Sequence, residues 1–241
     1  MALLHPVIRV MDYKRLVNRG RLRVRGLIVL EEKLDGYLLV AYGGRVYTGS
    51  GRRAPQWLIN ALAQAGVGLD AAPPAHLLYI EVYGRCLSPG GFHRGDQRCY
   101  NAALVDVARL PAYAGIRDAP LLARTLSIRE RMDIAERTGL VHPRYIVLDA
   151  EKSPSPGKLL EWLECFRGRE GYVMKLYSEY GHRLPPDYGA KLRGLLEVKV
   201  KHSYRGIRGL GARGRLHSLM AVDDTSVDPW RRRSMQQCFS R

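Results

Sequence analysis

Lys33 stands in the tetrapeptide Lys33-Leu34-Asp35-Gly36, directly after two carboxylates, Glu31 and Glu32, and between two apolar runs. Further along come Glu81 in Tyr79–Tyr83, Asp106 in Leu104–Val107, the hexapeptide from Glu170 to Lys175, and finally Lys199 and Lys201. A lysine amine attacks only as the neutral form, and with an ordinary pKa of about 10.4 roughly one molecule in a thousand is neutral near pH 7.4. A nucleophilic lysine therefore needs desolvation or neighbouring cations to suppress its charge. Lys175, Lys199 and Lys201 are such cations, and Lys199 and Lys201, two residues apart in an apparent strand, share one sheet face. Glu81 and Glu170 interrupt or flank apolar stretches, where an unpartnered carboxylate is costly, so each should meet a cation or a ligand. A bare Lys-x-Asp-Gly is also what an ordinary surface turn looks like. The ordered set of segments is what gives it weight.

The elements that must carry these residues are legible from periodicity. Arg21–Glu32 and Tyr37–Tyr42 read as strands, joined through Gly43-Gly44 to a third at Arg45–Thr48, an antiparallel meander. Pro55–Gly66 reads as a helix, with Pro at its start, Gly at its end, and Trp57, Leu58 and Leu62 at helical spacing. His76–Tyr83 and Ala102–Ala108 are strands separated by a Gly-, Ser- and Pro-rich loop, Gly84–Gly95. Pro120–Thr138 reads as one helix with the stripe Leu121, Thr125, Ile128, Met132 and Ala135, ended by Gly139. Tyr145–Leu148 is a short strand, Glu151–Pro156 a linker, Lys158–Phe166 a helix, and Gly171–Tyr177 and Leu195–His202 two closing strands.

Composition sets the outer bounds. The chain has 241 residues, 46% of them apolar, enough for a sizeable core, and its 39 Lys and Arg against 23 Asp and Glu give a net charge of +16. Such an excess points to a polyanionic partner, with nucleic acid foremost. No apolar run is long enough to span a bilayer and no secretory signal is visible, so a cytoplasmic protein without a membrane partner is expected. Cys86, Cys99, Cys165 and Cys238 form no CxxC pair, which suggests free thiols; Cys86, His93 and Cys99 lack a fourth ligand at a familiar metal-site spacing.

The five ordered segments resemble motifs I, III, IIIa, IV and V of the covalent nucleotidyltransferase superfamily, which comprises ATP-dependent DNA and RNA ligases and mRNA capping guanylyltransferases. The likeness covers about residues 21–204, and Val29–Tyr37 (VLEEKLDGY) is especially similar to the archaeal type of ATP-dependent RNA ligase. The resemblance implies an α+β fold of two mainly antiparallel sheets packed together and flanked by helices, with ATP in the cleft between them. It implies a nucleotidyltransferase domain at 1–204 and a basic C-terminal appendage at 205–241. Lys33 would be the catalytic nucleophile at the α-phosphorus of ATP, and Lys199 and Lys201 would contact the α-phosphate. Lys175 would lie near that phosphate or near Lys33 itself.

By the same resemblance Glu81 would bind the ribose and Glu170 a divalent cation, Mg²⁺ or Mn²⁺. Glu31 would read the adenine amino group, with Glu32 or the backbone as alternatives; strand alternation favours Glu31 because it shares the face of Lys33. Leu34 joins the nucleotide-contacting set. Asp35 would cap the turn or orient Lys33, and Gly36 would supply backbone freedom at the turn. The chain departs from the superfamily pattern at Leu38, where Asn or Arg is frequent, and at Val105, where an aromatic residue usually stacks on the base. Arg52 or Arg53 would replace an arginine that usually follows the meander and would contact nucleic acid. The implied activity is RNA ligation: a lysyl-AMP at Lys33, AMP transfer to a 5′-phosphate end, and sealing by a 3′-hydroxyl. The alternatives are a DNA ligase, a GTP-using capping enzyme, and a non-catalytic nucleic-acid-binding module. A minimal core would rely on its own basic face or on a homodimer.

Overall fold

The computed structural model describes residues 9–12, 27–84, 100–118, 124–149, 156–177 and 195–201. The loop at 84–95, the linker at 151–155, Cys86, His93 and Cys99, and the appendage at 205–241 fall outside these residues, apart from Gly84. Ten strands and three α-helices form an α+β fold with two five-stranded antiparallel sheets among the described residues. The chain divides into two compact units; from Val10 to Lys33 it belongs to the second, from Leu34 to Pro143 to the first, and from Arg144 to Tyr180 to the second again.

The first unit holds β3 (Gly36–Tyr42), β4 (Arg45–Thr48), β5 (His76–Gly84), β6 (Tyr100–Arg109) and β7 (Arg124–Thr125), in the order β4-β3-β5-β6-β7. Two helices, α1 (Gln56–Gln64) and α2 (Ile128–Thr138), cover one of its faces. Leu58, Ala61 and Leu62 of α1 and Ile134 and Ala135 of α2 pack there with Leu39, Leu78, Ile80, Val82, Leu104 and Val107. Each large aliphatic side chain so buried contributes about 1.5–3 kcal/mol. Val40, Leu77, Tyr79 and Ala108 point to the other face and pack with Leu110 and Ala114.

Helix α2 is shorter than its periodicity suggests. It begins at Ile128, because Ser127 accepts from the Glu130 amide while the Glu130 carboxylate accepts from the Ser127 amide, a complete capping box. Residues 124–125 pair with β6 as β7 instead. The signature Ser-x-x-Glu was the readable start, and an apolar stripe that continued upstream masked it. The segment expected as one helix over Lys158–Phe166 is α3 (Pro156–Glu161) running into a 3₁₀ turn at Trp162–Phe166. Cys165 within it is disulfide-bonded, against the expectation of free thiols. No sequence-local spacing signals that bond.

The second unit holds β1 (Arg9–Asp12), β2 (Leu27–Glu32), β8 (Tyr145–Asp149), β9 (Gly171–Tyr177) and β10 (Leu195–Lys201), in the order β1-β10-β9-β2-β8. Every residue of β2 is buried, which suits a continuous apolar run flanked by partners on both sides. Alternation sends Ile28 and Leu30 to one face, beside Leu176 and Met174 of β9. Tyr172 continues that face, donating from its hydroxyl to the Leu159 carbonyl at 2.5 Å and packing on Phe166 at 5.4 Å between ring centroids. The helical segment 156–166 thereby covers that face. No helix among the described residues is long and apolar enough to cross a membrane.

Candidate active site

The opposite face of the second unit's sheet gathers charge. Leu27, Val29 and Glu31 point there from β2, and the register of β9 sets Lys175 opposite Val29 and Val173 opposite Glu31. On β10, Lys199 lies opposite Val173 and Lys201 opposite Gly171, so both lysines share that face. Lys33 continues the alternation because its amide donates to the Gly171 carbonyl at 2.9 Å, extending the ladder past the end of β2. Among the side chains the structure describes, one sheet face therefore presents Lys33, Lys175, Lys199 and Lys201 together with Glu31 and Glu170.

Glu170 is the hub. One carboxylate oxygen bonds Lys33 Nζ at 2.5 Å, and the other pairs with Lys201. Burial pushes the Glu170 carboxyl upward, but hydrogen bonds and charge from Lys201 and Lys33 outweigh it and hold the group below the usual carboxylate range. Deeper in the sheet Lys175 and Glu31 form a second pair at 2.5 Å, with side-chain exposures of 4% and 2%. The two occupy diagonal positions on adjacent strands, the spacing at which long side chains reach each other. Lys199 makes no ion pair with another described residue.

A glycine makes the hub possible. At Gly171 the backbone has φ 151°. A Cβ there would collide with the Val200 carbonyl oxygen and lie 2.9 Å from the Lys201 Cα. Strand β10 thus passes hard against the residue that follows Glu170, which brings Lys201 within reach of the carboxylate.

Glu32 does not join this group. Alternation puts it on the other face, where its carboxylate pairs with Arg169 at 3.2 Å. The sequence reading offered Glu32 as an alternative to Glu31 at the adenine and overlooked Arg169, whose only signal is that Glu32-Lys33 and Arg169-Glu170 are charge-reversed dipeptides. That complementarity becomes visible once the register of β2 and β9 is known.

The remaining candidates belong to the first unit. Leu34 and Asp35 lead into β3, Leu34 partly buried and Asp35 exposed. Gly36 is the first residue of β3 and has no left-handed backbone. A Cβ there would collide with the Val82 carbonyl oxygen, so close approach of β5, and not turn freedom, requires the glycine. Glu81 lies cross-strand from Leu38 and Ala103, on the Tyr79 side of β5. The β5–β6 register slips between Tyr79 and Ile80, leaving Val105 as an extra residue of β6. Arg131 of α2, only 1% exposed, donates to the Val105 carbonyl at 2.7 Å and so ties that bulge down. Arg131 was also missed, since a buried arginine on an amphipathic helix looks like part of its charged face. Asp106 accepts from the Val107 amide at 2.9 Å, and together with burial its charge raises the Tyr79 phenol. Arg52 and Arg53 have exposed side chains, and the Arg52 carbonyl accepts from the Thr48 amide at 2.8 Å.

The described residues thus combine a two-sheet α+β fold with a lysine–carboxylate face on one of the sheets. No protein-family model and no curated protein matches the chain. Among solved structures, an archaeal ATP-dependent RNA ligase shares 18% identity with a TM-score of 0.51, the match covering 81% of this chain and 48% of that one. A Naegleria gruberi RNA ligase shares 14% at a TM-score of 0.47, covering 83% and 57%. A putative ATP-dependent DNA ligase from Aquifex aeolicus shares 19% at 0.45, covering 83% and 50%. The chain spans about half the length of these ligases. Its fold is that of the nucleotidyltransferase domain of ATP-dependent ligases.

Proposed function

We propose that the chain is the adenylylating core of an ATP-dependent polynucleotide ligase, acting on RNA through a lysyl-AMP at Lys33. The observation that carries this is the sharing of Glu170 by Lys33 and Lys201, on a face that also carries Lys175 and Lys199. Several fixed cations around a lysine suit a triphosphate, whose charge grows on the α-phosphate and the departing pyrophosphate during transfer. Lys33 Nζ forms a bond to the α-phosphorus as the bond to the β-phosphate oxygen breaks. Pyrophosphate leaves with that electron pair, and the amine gives up a proton. AMP then passes to a 5′-phosphate end, and an adjacent 3′-hydroxyl displaces it to seal the strand.

The ion pair with Glu170 holds Lys33 in place but leaves its nitrogen no lone pair to offer. Proton transfer out of that pair is therefore part of the first step. A divalent cation would meet one carboxylate beside the nucleotide phosphates, taking the place of Lys33 or Lys201 at a Glu170 oxygen. Mg²⁺ commonly takes one or two carboxylates together with substrate phosphates and water. Glu170 would hold it, and the ion would neutralise phosphate charge. Glu31 and Glu81 are assigned to adenine and ribose, Lys175 and Lys199 to the phosphate surroundings, and Arg52 and Arg53 to nucleic acid.

RNA is preferred over DNA because the motif around Lys33 is most similar to the archaeal RNA ligase type. Incubation with ATP and Mg²⁺ followed by intact mass tests the reading: an added AMP, lost in Lys33→Ala, is the expected result. No adduct with any nucleotide or divalent metal would leave a non-catalytic binding module, the reading that Leu38 and Val105 favour. Parallel 5′-phosphorylated RNA and DNA substrates then decide the strand.

A further inference from the structure

Two consecutive residues of β2 and its extension, Glu32 and Lys33, meet two consecutive residues of the turn before β9, Arg169 and Glu170, with the charges reversed. Because neighbouring residues of an extended chain point to opposite faces, the Lys33–Glu170 and Glu32–Arg169 pairs grip the same junction from opposite sides. The turn that supplies Arg169 and Glu170 is tight: the Arg167 amide donates to Glu164 and the Arg169 amide to Phe166 at 3.1 Å, and Gly168 takes φ 78°. On the β2 side the Glu32 amide is anchored to the Arg144 carbonyl at 2.7 Å and the Lys33 amide to Gly171. The Glu32 side chain is 8% exposed whereas Arg169 is 52% exposed, so the buried carboxylate is served by a guanidinium reaching in from solvent.

We infer that Arg169 and Glu32 form a positioning pair for the reaction at Lys33. They fix the 167–170 turn against the end of β2, and this sets the Glu170 carboxylate between Lys33 and Lys201. The chemistry thus assigned to Glu32 is structural support from the far face, in place of a nucleotide contact. Its link to catalysis rests on the proposed lysyl-AMP reading, while the mechanical claim stands apart from it.

Acetylation of the intact chain by an N-hydroxysuccinimide ester, followed residue by residue by peptide mass spectrometry, tests the mechanical claim without ATP. An amine held in an ion pair acylates slowly, so Arg169→Gln and Glu32→Gln should each speed labelling of Lys33 about threefold to fivefold, the effect of losing a partly exposed ion pair. Lys158, paired with Glu161 on α3, serves as the reference and should be unchanged. Arg169→Lys should restore most of the protection, and the double variant should add nothing to either single change. Unchanged Lys33 labelling in both single variants, or additive effects in the double, would overturn the pair. The same proteins given ATP and Mg²⁺ should form the AMP adduct more slowly with little change in KM for ATP. If the unmodified protein forms no adduct while the labelling pattern holds, the ligase reading fails and the positioning pair survives.

Discussion

Glu31 and Lys175 meet at 2.5 Å on adjacent strands, with side chains 2% and 4% exposed. A pair this deep is held by its partner more than by water, so removing either charge takes a main partner from a buried charge. Glu31→Gln or Lys175→Met should cost about 3–5 kcal/mol in urea unfolding. The double variant, which removes both charges of the pair, should recover much of that loss. Single variants of ordinary stability would show that the two charges do not depend on each other.

Glu170 predicts an acid-side signature. Its folded-state carboxyl is held below the ordinary 4.5, so the stabilisation is complete above that value and is lost as pH falls through the lower folded value. Thermal unfolding midpoints should fall on acidification below about pH 4.5 more steeply for the natural chain than for Glu170→Gln. Parallel pH profiles would remove Glu170 from the acid transition.

Two glycines should resist substitution for the same reason at different places. Gly171→Ala drives a methyl into the Val200 carbonyl, and Gly36→Ala drives one into the Val82 carbonyl. Both variants should be destabilised by more than about 1 kcal/mol, beyond the usual effect of a surface change. Gly44→Ala is the control: it meets no atom within 4 Å, so the strain of its φ of 71° is all it adds. Gly171→Ala should in addition impair adenylylation, since it sits between Glu170 and the strand carrying Lys201. Equal denaturation midpoints for Gly171→Ala and the natural chain would refute the close approach.

Salt should separate the two proposed stages. Self-adenylylation depends on a few fixed cations around one nucleotide, whereas end sealing needs the wider excess of arginine and lysine against a polynucleotide backbone. Raising the salt concentration from about 50 to 200 mM should lower sealing by a larger factor than AMP-adduct formation. Equal sensitivity of both steps would argue against a separate role for the remaining charge.

The short-range part of this architecture was open to reading from residues alone. Gly43-Gly44 announced the β3–β4 turn, Pro55 and Gly66 bracketed α1, and the alternation in Leu27–Glu32 separated the faces of Glu31 and Glu32. Where a stripe ran past its true end, as before Ser127, periodicity misled because it counts apolar positions and is blind to the strand pairing that claimed residues 124–125.

Sequence by itself determined which residue types are on offer for the proposed chemistry, because Lys33, the later lysines and the carboxylates stand out by type and order. It also determined the alternation that sends Lys199 and Lys201 to one face. Only the tertiary structure decided the partners: Glu170 with Lys33 and Lys201, Lys175 with Glu31, and Arg169 with Glu32. Those choices depend on strand register and on the depth at which a side chain ends, and both are set by residues distant in the chain, more than a hundred positions apart in every pair but Glu170–Lys201. A charge in a string of letters has a sign; its partner is fixed when strands pair and water is excluded.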